Sequence, residues 1–357
     1  MHSPNPDMSQ LFADRQAQRS TLHNRHLNEQ FVRVLKTIGY DVGFQKGQGQ
    51  YLYDREGARY LDLLSGFGVF AIGRNHPVMR EALKSVLDAD LPNLVQFDVS
   101  VLAGVLAERL LKYVPYLDKA FFANSGAECV ADEIQTGMGR TGRFLAVEHW
   151  NVEPDMVLLS KSLSGGHVPV GAVLTRKSIF DKIFNQMDRA VVHGSTFSKN
   201  DLAMAAGIAT LDVMESEKLI ESAAKRGAEL RLALTRMVPG YELMKEVRGK
   251  GLMIGVEFGP PKSLRLRASW NVLEAANKGL FCQLITVPLF KDHKILTQVA
   301  GHGSHTIKLL PPLTITEEDC GWIERAFDDV IAGSHKVPGA IWSLGKTLVD
   351  NAVRRSA

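Results

Sequence analysis

Met156-Val157-Leu158-Leu159-Ser160-Lys161-Ser162-Leu163-Ser164-Gly165-Gly166 is the stretch on which the fold turns. Its first four residues form a short apolar run of the kind that makes a buried strand. The run delivers a lysine into a cluster of small residues that leaves room beside the amine. Most lysines are solvated surface charges. One held where desolvation disfavours the ammonium loses its proton at modest cost, and the free amine can attack an aldehyde. Upstream, Ala131-Asp132-Glu133-Ile134-Gln135-Thr136-Gly137 sets an acid at the end of a second short strand, where an acid is more often a cap or turn residue than a catalyst.

From this centre the elements extend in both directions. Apolar segments alternate with glycine turns from Asp155 to Leu174, as short buried strands do. Leu202–Met214 and Lys218–Met237 read as helices, and Gly249-Lys250-Gly251 as the opening of a strand over Leu252–Phe258. Ile307–Ile315 reads as another strand, interrupted at Pro311-Pro312. Toward the N-terminus, Phe121–Ala123 is a strand that runs into Asn124-Ser125-Gly126-Ala127-Glu128. A helix begins at about Ser100 and another at Pro77, each with one apolar stripe. Asp54-Arg55-Glu56-Gly57 is the turn of a hairpin between Tyr51–Tyr53 and Tyr60–Leu64. The first thirty or so residues are polar and read as an arm over the body or over a partner subunit. Strands alternating with helices predict an α/β fold, with a largely parallel, doubly wound sheet and a smaller α+β domain.

Composition narrows the classes. The 357 residues suffice for two domains with cores of their own, and 45% hydrophobic with 23% charged residues is ordinary for a soluble globular protein. A net charge of +3, spread along the chain, gives no field that would draw nucleic acid or an acidic membrane. Cys129, Cys282 and Cys320 are far apart and form no Cys-x-x-Cys pair, which argues against a disulfide framework or structural zinc and suits a cytoplasmic protein. Met1–Asn28 lacks the apolar core of a secretory signal, and no apolar run reaches the length of a membrane span.

Asn124-Ser125-Gly126-Ala127-Glu128 has the form of a phosphate cup, in which small residues let backbone N–H groups approach an anion at a helix N-terminus. His193-Gly194-Ser195-Thr196-Phe197 offers a hydroxyl and amides suited to the same group. Together with Asp-Glu-Ile-Gln-Thr-Gly (132–137) and Ser-Lys-x-Leu-Ser-Gly-Gly (160–166), these motifs resemble the class III pyridoxal-phosphate-dependent aminotransferases, the acetylornithine, ornithine, putrescine and 4-aminobutyrate group. The resemblance covers roughly Tyr51 to Ile331 and includes the interval from Asp132 to Lys161. It implies a fold type I architecture, pyridoxal phosphate as cofactor, and transfer of an amino group from an amino acid or diamine to an oxo acid. It implies a homodimer as well. By the same resemblance Lys161 would carry the cofactor as a Schiff base and shuttle the proton. Asp132 would meet the ring nitrogen and keep the ring an electron sink. Gln135 would lie near the ring hydroxyl. Ser125, Gly126 and Ala127 would hold the phosphate, reached by Thr196 from the neighbouring subunit. The expected organisation is an arm and part of the small domain at 1–60, a cofactor-binding large domain at 61–215, a C-terminal small domain at 216–335 and a helical tail at 336–357.

Two features depart from the family. Cys129, Val130 and Ala131 are all that separates Glu128 from Asp132. In the family a long helix and central strands lie between these motifs, and three residues cannot supply both. An internal segment of the large domain is therefore missing between Val130 and Ala131, with the aromatic that stacks on the cofactor ring and a glutamate-containing part of the pocket. The alternative function is thus a catalytically impaired or inactive remnant. The second feature is Lys308, where many relatives carry an arginine that reads the substrate carboxylate. Lysine offers a point charge without the two-pronged fork, which leaves room for a diamine substrate, or else Lys308 simply faces solvent. Gly137-Met138-Gly139-Arg140-Thr141-Gly142 matches a dinucleotide fingerprint but lacks the helix and the distant acid, so it reads as a loop and leaves an oxidoreductase poorly supported. His302 and His305 lack a third ligand, so no metal site is expected. Ile341, Leu344, Leu348 and Ala352 share one face of a C-terminal helix suited to docking on the body or on a partner subunit.

Overall fold

The structure, a computed structural model, describes residues 8–94, 99–123, 131–189, 195–276, 280–301 and 303–336. Among the described residues, twelve strands form three four-stranded sheets. β1 (Lys46–Gln48), β2 (Tyr51–Tyr53) and β3 (Arg59–Asp62) make an antiparallel meander around the expected hairpin turn. β4 (Lys119–Ala123), β5 (Ala131–Asp132), β6 (Met156–Leu159) and β7 (Gly171–Thr175) assemble in the order β4-β7-β6-β5. β8 (Met244–Lys250), β9 (Met253–Phe258), β11 (Gln298–Val299) and β12 (Thr306–Leu309) form an antiparallel sheet in the order β11-β12-β9-β8. β10 (Ile295–Leu296) leaves that region and pairs in parallel with β3, joining the first sheet.

The helices fill in around the sheets. α1 (Met8–Arg15), α2 (Arg19–His26) and α3 (Glu29–Ile38) make up the arm, in which Val32 is the buried apolar residue. α4 (Pro77–Asp88) and α5 (Val101–Tyr113) start where the sequence expects them, at Pro77 and after the Ser100 cap, whose Oγ accepts the Ala103 N–H at 3.3 Å. Both pack on α6 (Asp201–Ser216), an alanine-rich helix that is buried along nearly its whole length. α7 (Leu219–Met237), α8 (Leu264–Ala276), α9 (Gln283–Lys291) and α10 (Glu317–Ser334) surround the β8–β9–β12 region. One continuous hydrophobic cluster runs from Leu61 and Ile72, through β6 and α6, to Ile323 and Phe327. Among the described residues no helix is long and apolar enough to cross a membrane.

Two expectations need correction. Among the described residues the sheet expected to be largely parallel is parallel only between β5 and β6, because β7 runs antiparallel to both β6 and β4. β5 is a two-residue edge strand, and any central parallel strands would have to add beyond it, on the side of the short 124–131 connection. In addition, Gly249-Lys250-Gly251 closes a strand rather than opening one. Met244–Lys250 is β8, hairpinned onto β9 through Gly251. The Ser125-Gly126-Ala127 cup, the Val130 side of the short junction and the C-terminal helix lie outside the described residues.

The β8–β9 hairpin is held by a close backbone approach. A Cβ at Gly227 of α7 would stand 2.0 Å from the Gly251 carbonyl oxygen. On the far side of this turn the Leu252 N–H donates to the Arg140 carbonyl at 3.0 Å. Gly227→Ala should therefore push helix and hairpin apart. We expect a loss of about 3 kcal/mol, the upper end of overpacking costs, against a helix-propensity gain of about 1 kcal/mol. The shift of the urea unfolding midpoint measures it, and an unchanged midpoint would contradict the tight contact.

Candidate active site

β5 and β6 lie side by side in the same direction, with Ala131 opposite Val157 and Asp132 opposite Leu158. Asp132 ends its strand, and Lys161 follows the end of the neighbouring strand. Both groups thus emerge at the C-terminal edge of the parallel pair, where open α/β sheets bind ligands. Val157, Leu158 and Leu159 are buried and fix the strand, while the Ser160 hydroxyl donates to the Val170 carbonyl at 2.8 Å. Lys161 then opens a tight 3-10 turn, Lys161–Ser164, in which Ser162, Leu163 and Ser164 are all buried. This turn rests on α6. Lys161 itself has φ +45°, a left-handed conformation that costs a non-glycine residue on the order of 1–3 kcal/mol and that clusters at functional sites. The half-buried Lys161 thus sits on a strained backbone that the buried turn holds in place.

The acids on either side of the Asp132–Glu133 bond divide into two roles. Glu133 is 2% exposed; its Oε1 accepts the Val147 N–H at 2.9 Å, and its Oε2 accepts the Thr136 hydroxyl. It fastens the 134–147 loop to the sheet. Asp132 is exposed, and its Oδ1 accepts the Ile134 N–H at 3.0 Å in a local turn that orients the carboxylate.

Gln135 bridges two further elements. Its Nε2 donates to the Phe67 carbonyl at 3.2 Å, and its Oε1 accepts from Lys308 Nζ at 3.4 Å. Phe67 belongs to a kinked helical turn, Ser65–Gly68, where Ser65, Gly66 and Phe67 all have positive φ. The buried Asp62 carboxylate holds this segment by accepting the Leu64 and Ser65 N–H groups at 3.0 and 2.8 Å while Arg74 donates to its second oxygen. The paired glycines Gly66 and Gly68 around Phe67 are a sequence signal for this special backbone that hydrophobic periodicity does not reveal.

Lys308 stands half-buried on β12, an interior strand of its sheet, so it does not simply face solvent from an edge. Burial, and then the nearby Lys161 charge, hold its ammonium below the ordinary lysine range. Lys161, Gln135 and Lys308 therefore share one neighbourhood, with Asp132 at the adjacent strand end. Thr196 stands apart, exposed in the turn that precedes α6. His305 pairs with Glu274 at 2.8 Å, and His302 lies outside the described residues. Among the described residues no group of three or more His, Cys, Asp or Glu side chains could hold a metal ion.

Comparison with known proteins identifies the family and the fold. The family model described as aminotransferase class-III matches residues 37–131 and 129–331, and the break between the two matches falls at the short junction. The chain is 24% identical to aminotransferase PigE of Serratia sp. over 461 positions, covering 90% of this chain and 54% of that protein. Those positions outnumber the 357 residues of this chain, so the relative carries residues with no counterpart here. The chain is 31% identical to the putrescine aminotransferase of Pectobacterium atrosepticum over 275 residues, 76% of this chain and 53% of that one. It thus spans about half the length of these curated relatives. Among solved structures, the ornithine aminotransferase of Toxoplasma gondii described with partial occupancy of PLP at its active site matches with a TM-score of 0.69. That match has 22% identity, covers 83% of this chain and 90% of that one, and bears on the fold.

Proposed function

This chain belongs to the class III aminotransferases, and from that premise we propose that it is a pyridoxal-phosphate-dependent enzyme that moves an amino group from an amino acid or diamine to an oxo acid. The α/β architecture is that of fold type I. The single observation that carries the reading is the pair Asp132 and Lys161 at adjoining ends of two parallel strands, cross-linked to the opposite sheet through Gln135 and Lys308. The relatives matched are themselves named aminotransferases, which favours catalysis over an impaired remnant. We read the protein as a cytoplasmic homodimer with the domain limits given above, in which Thr196 serves the partner's site.

The residues fit the cofactor: an amine, an acid and an amide stand near the ends of the parallel strands, and the amine is followed by small residues. Bound there, pyridoxal phosphate supplies an aldehyde that takes up the amino group and a ring that draws electrons from the carbon losing its proton. Lys161 would hold the group through its Nζ and would be the residue that takes and returns the substrate proton. The Asp132 carboxylate would keep a proton on the ring nitrogen. Gln135 would lie near the ring hydroxyl, and Ser125, Gly126 and Ala127, which lie outside the described residues, would hold the phosphate. Lys308 attracts the substrate carboxylate.

The covalent step is tested by mixing the protein with pyridoxal phosphate, reducing with borohydride and mapping peptides. A pyridoxyl mass on Lys161 is expected; its absence from every peptide would overturn the reading. Lys308 gives a second test. It attracts a carboxylate only while protonated, so the KM for a carboxylate-bearing donor should climb as pH rises, starting below the ordinary lysine titration range. Lys308→Arg, charged throughout, should flatten that rise. A KM that stays level in the parent protein would remove Lys308 from substrate binding.

A further inference from the structure

Gly137-Met138-Gly139-Arg140-Thr141-Gly142, the loop that no step above uses, carries a buried cation. Arg140 is 2% exposed, and burial pushes its guanidinium down to about 10, still cationic near neutral pH. Among the described residues no carboxylate stands close enough to balance the charge. A buried cation without a counter-charge is costly to keep, so the groups it does bind matter. Nη1 donates to the Pro311 carbonyl and, at 3.4 Å, to the Leu252 carbonyl. The backbone of Arg140 joins in: its carbonyl accepts the Leu252 N–H at 3.0 Å, and its N–H donates to the Gly137 carbonyl at 3.4 Å.

The register of β9 and β12 explains why these two carbonyls are free. The strands are antiparallel, with Ile307 opposite Val256 and Leu309 opposite Ile254. In such a ladder every second pair exchanges its backbone hydrogen bonds. The Phe258 N–H donates to the His305 carbonyl at 2.8 Å, which makes that pair an exchanging one. Steps of two from it pass through Ile307 with Val256 and Leu309 with Ile254, and next reach Pro311 with Leu252. Proline has no N–H to donate, and the Leu252 N–H is turned to Arg140. Both carbonyls of this rung therefore lack a ladder donor, and one guanidinium nitrogen serves both. The loop reaches the rung because it lies tightly on α7. Gly142 has φ +83°, and a Cβ there would stand 2.8 Å from the Ala224 Cα. On its other side the loop continues into the site: the Gly137 N–H donates to the Glu133 carbonyl at 2.9 Å, between Asp132 and Gln135.

We propose that Arg140 is a positioning residue, which replaces the missing rung between Pro311 and Leu252 and so sets the antiparallel sheet against the Asp132–Gln135 segment. It touches none of the reacting atoms. The rung stands on the hydrogen bonds alone; its service to the reaction rests on the aminotransferase reading.

Arg140→Met keeps the long apolar stem and removes the donors. Hydrogen exchange is followed on the full-length protein without cofactor. Amides of residues 253–255, 307–310 and 134–137 should exchange about tenfold faster, the effect of losing a charge-assisted hydrogen bond, while those of β6 keep the parent rate. Arg140→Lys, whose ammonium can reach one carbonyl, should recover part of the protection. Pro311→Ala in the Arg140→Met background returns the missing N–H and should slow exchange along β9 and β12 again, which a role in filling space would not produce. The affinity for pyridoxal phosphate, read by visible absorbance, should fall about tenfold in Arg140→Met, with Lys161 still the residue fixed by borohydride. Uniform acceleration that includes β6, unchanged exchange at the ladder end, or parent-like cofactor affinity in Arg140→Met would each overturn the proposal. Should Arg140→Met not fold, Arg140→Lys decides by the same comparisons. A parent protein that takes no pyridoxyl mass would strike the aminotransferase reading, and the exchange pattern would still decide whether Arg140 holds the rung.

Discussion

Lys161→Ala is expected to abolish covalent retention of pyridoxal phosphate and to lower transamination by at least about 10³-fold, within the range that loss of a positioned acid–base group produces. Two functions leave with the amine, covalent attachment and proton transfer, and no described residue can assume both. Lys308 Nζ is the nearest rival, but it is committed to Gln135 across from β12. The variant should still fold, because Ser162, Leu163 and Ser164 anchor the turn through burial and hydrogen bonding rather than through the lysine head group. Alanine inherits the same positive φ, so the strain changes little. Lys161→Arg separates charge from nucleophilicity: guanidinium keeps the positive charge yet stays protonated and cannot attack an aldehyde. Both variants should lose the borohydride-fixed mass and the visible absorbance of the attached cofactor. Added ethylamine should partly restore proton transfer in the alanine variant and not in the arginine variant, which still fills the space. Should Lys161→Ala retain the fixed mass, another amine holds the cofactor and the site has been misassigned.

The surroundings of Lys161 were legible because they are local. An apolar strand, a lysine and a run of small residues occupy consecutive positions, and the structure gives them consecutive roles. The same holds for Pro77 and Ser100, whose helix-starting chemistry acts within one turn. β8 escaped because Lys245, Glu246, Arg248 and Lys250 give it a charged look, with only Met244 and Val247 buried. Its polar face borders a groove rather than a core, so hydrophobic alternation is weak there. The arm helices escaped for the related reason that α1 and α2 bury nothing and α3 buries only Val32. The bridge from Phe67 through Gln135 to Lys308, and the seating of Lys250 over Trp150, join positions far apart in the chain. Such contacts are created by topology, and residue types alone do not announce them. Asp132 shows the limit from the other side. Its position at the strand end was legible, whereas its exposure follows from β5 being an edge strand of only two residues.

That exposure sharpens the second large effect, expected for Asp132→Asn. The carboxylate is assigned to keep a proton on the cofactor's ring nitrogen, and an opposite charge at contact range raises such a pKa by about 1–3 units. Each unit is a factor of ten in the protonated fraction, so the variant should lose about 10- to 1,000-fold in rate near neutral pH. Its fold should be untouched, because the amide oxygen can still accept the Ile134 N–H and Glu133 continues to fasten the loop. An exposed ion pair is screened by water and salt, whereas a pair dried by a cofactor is not. The size of the loss therefore reports how dry the bound site becomes. A fall of a few fold would mean that water reaches the ring nitrogen, and a fall near the upper end that a partner subunit or a local rearrangement seals it. Asp132→Glu, which restores the charge on a longer arm, should recover part of the rate. If Asp132→Asn matched the parent in rate at every pH while Lys161 still carried the cofactor, the acid would have to be sought elsewhere at the strand ends.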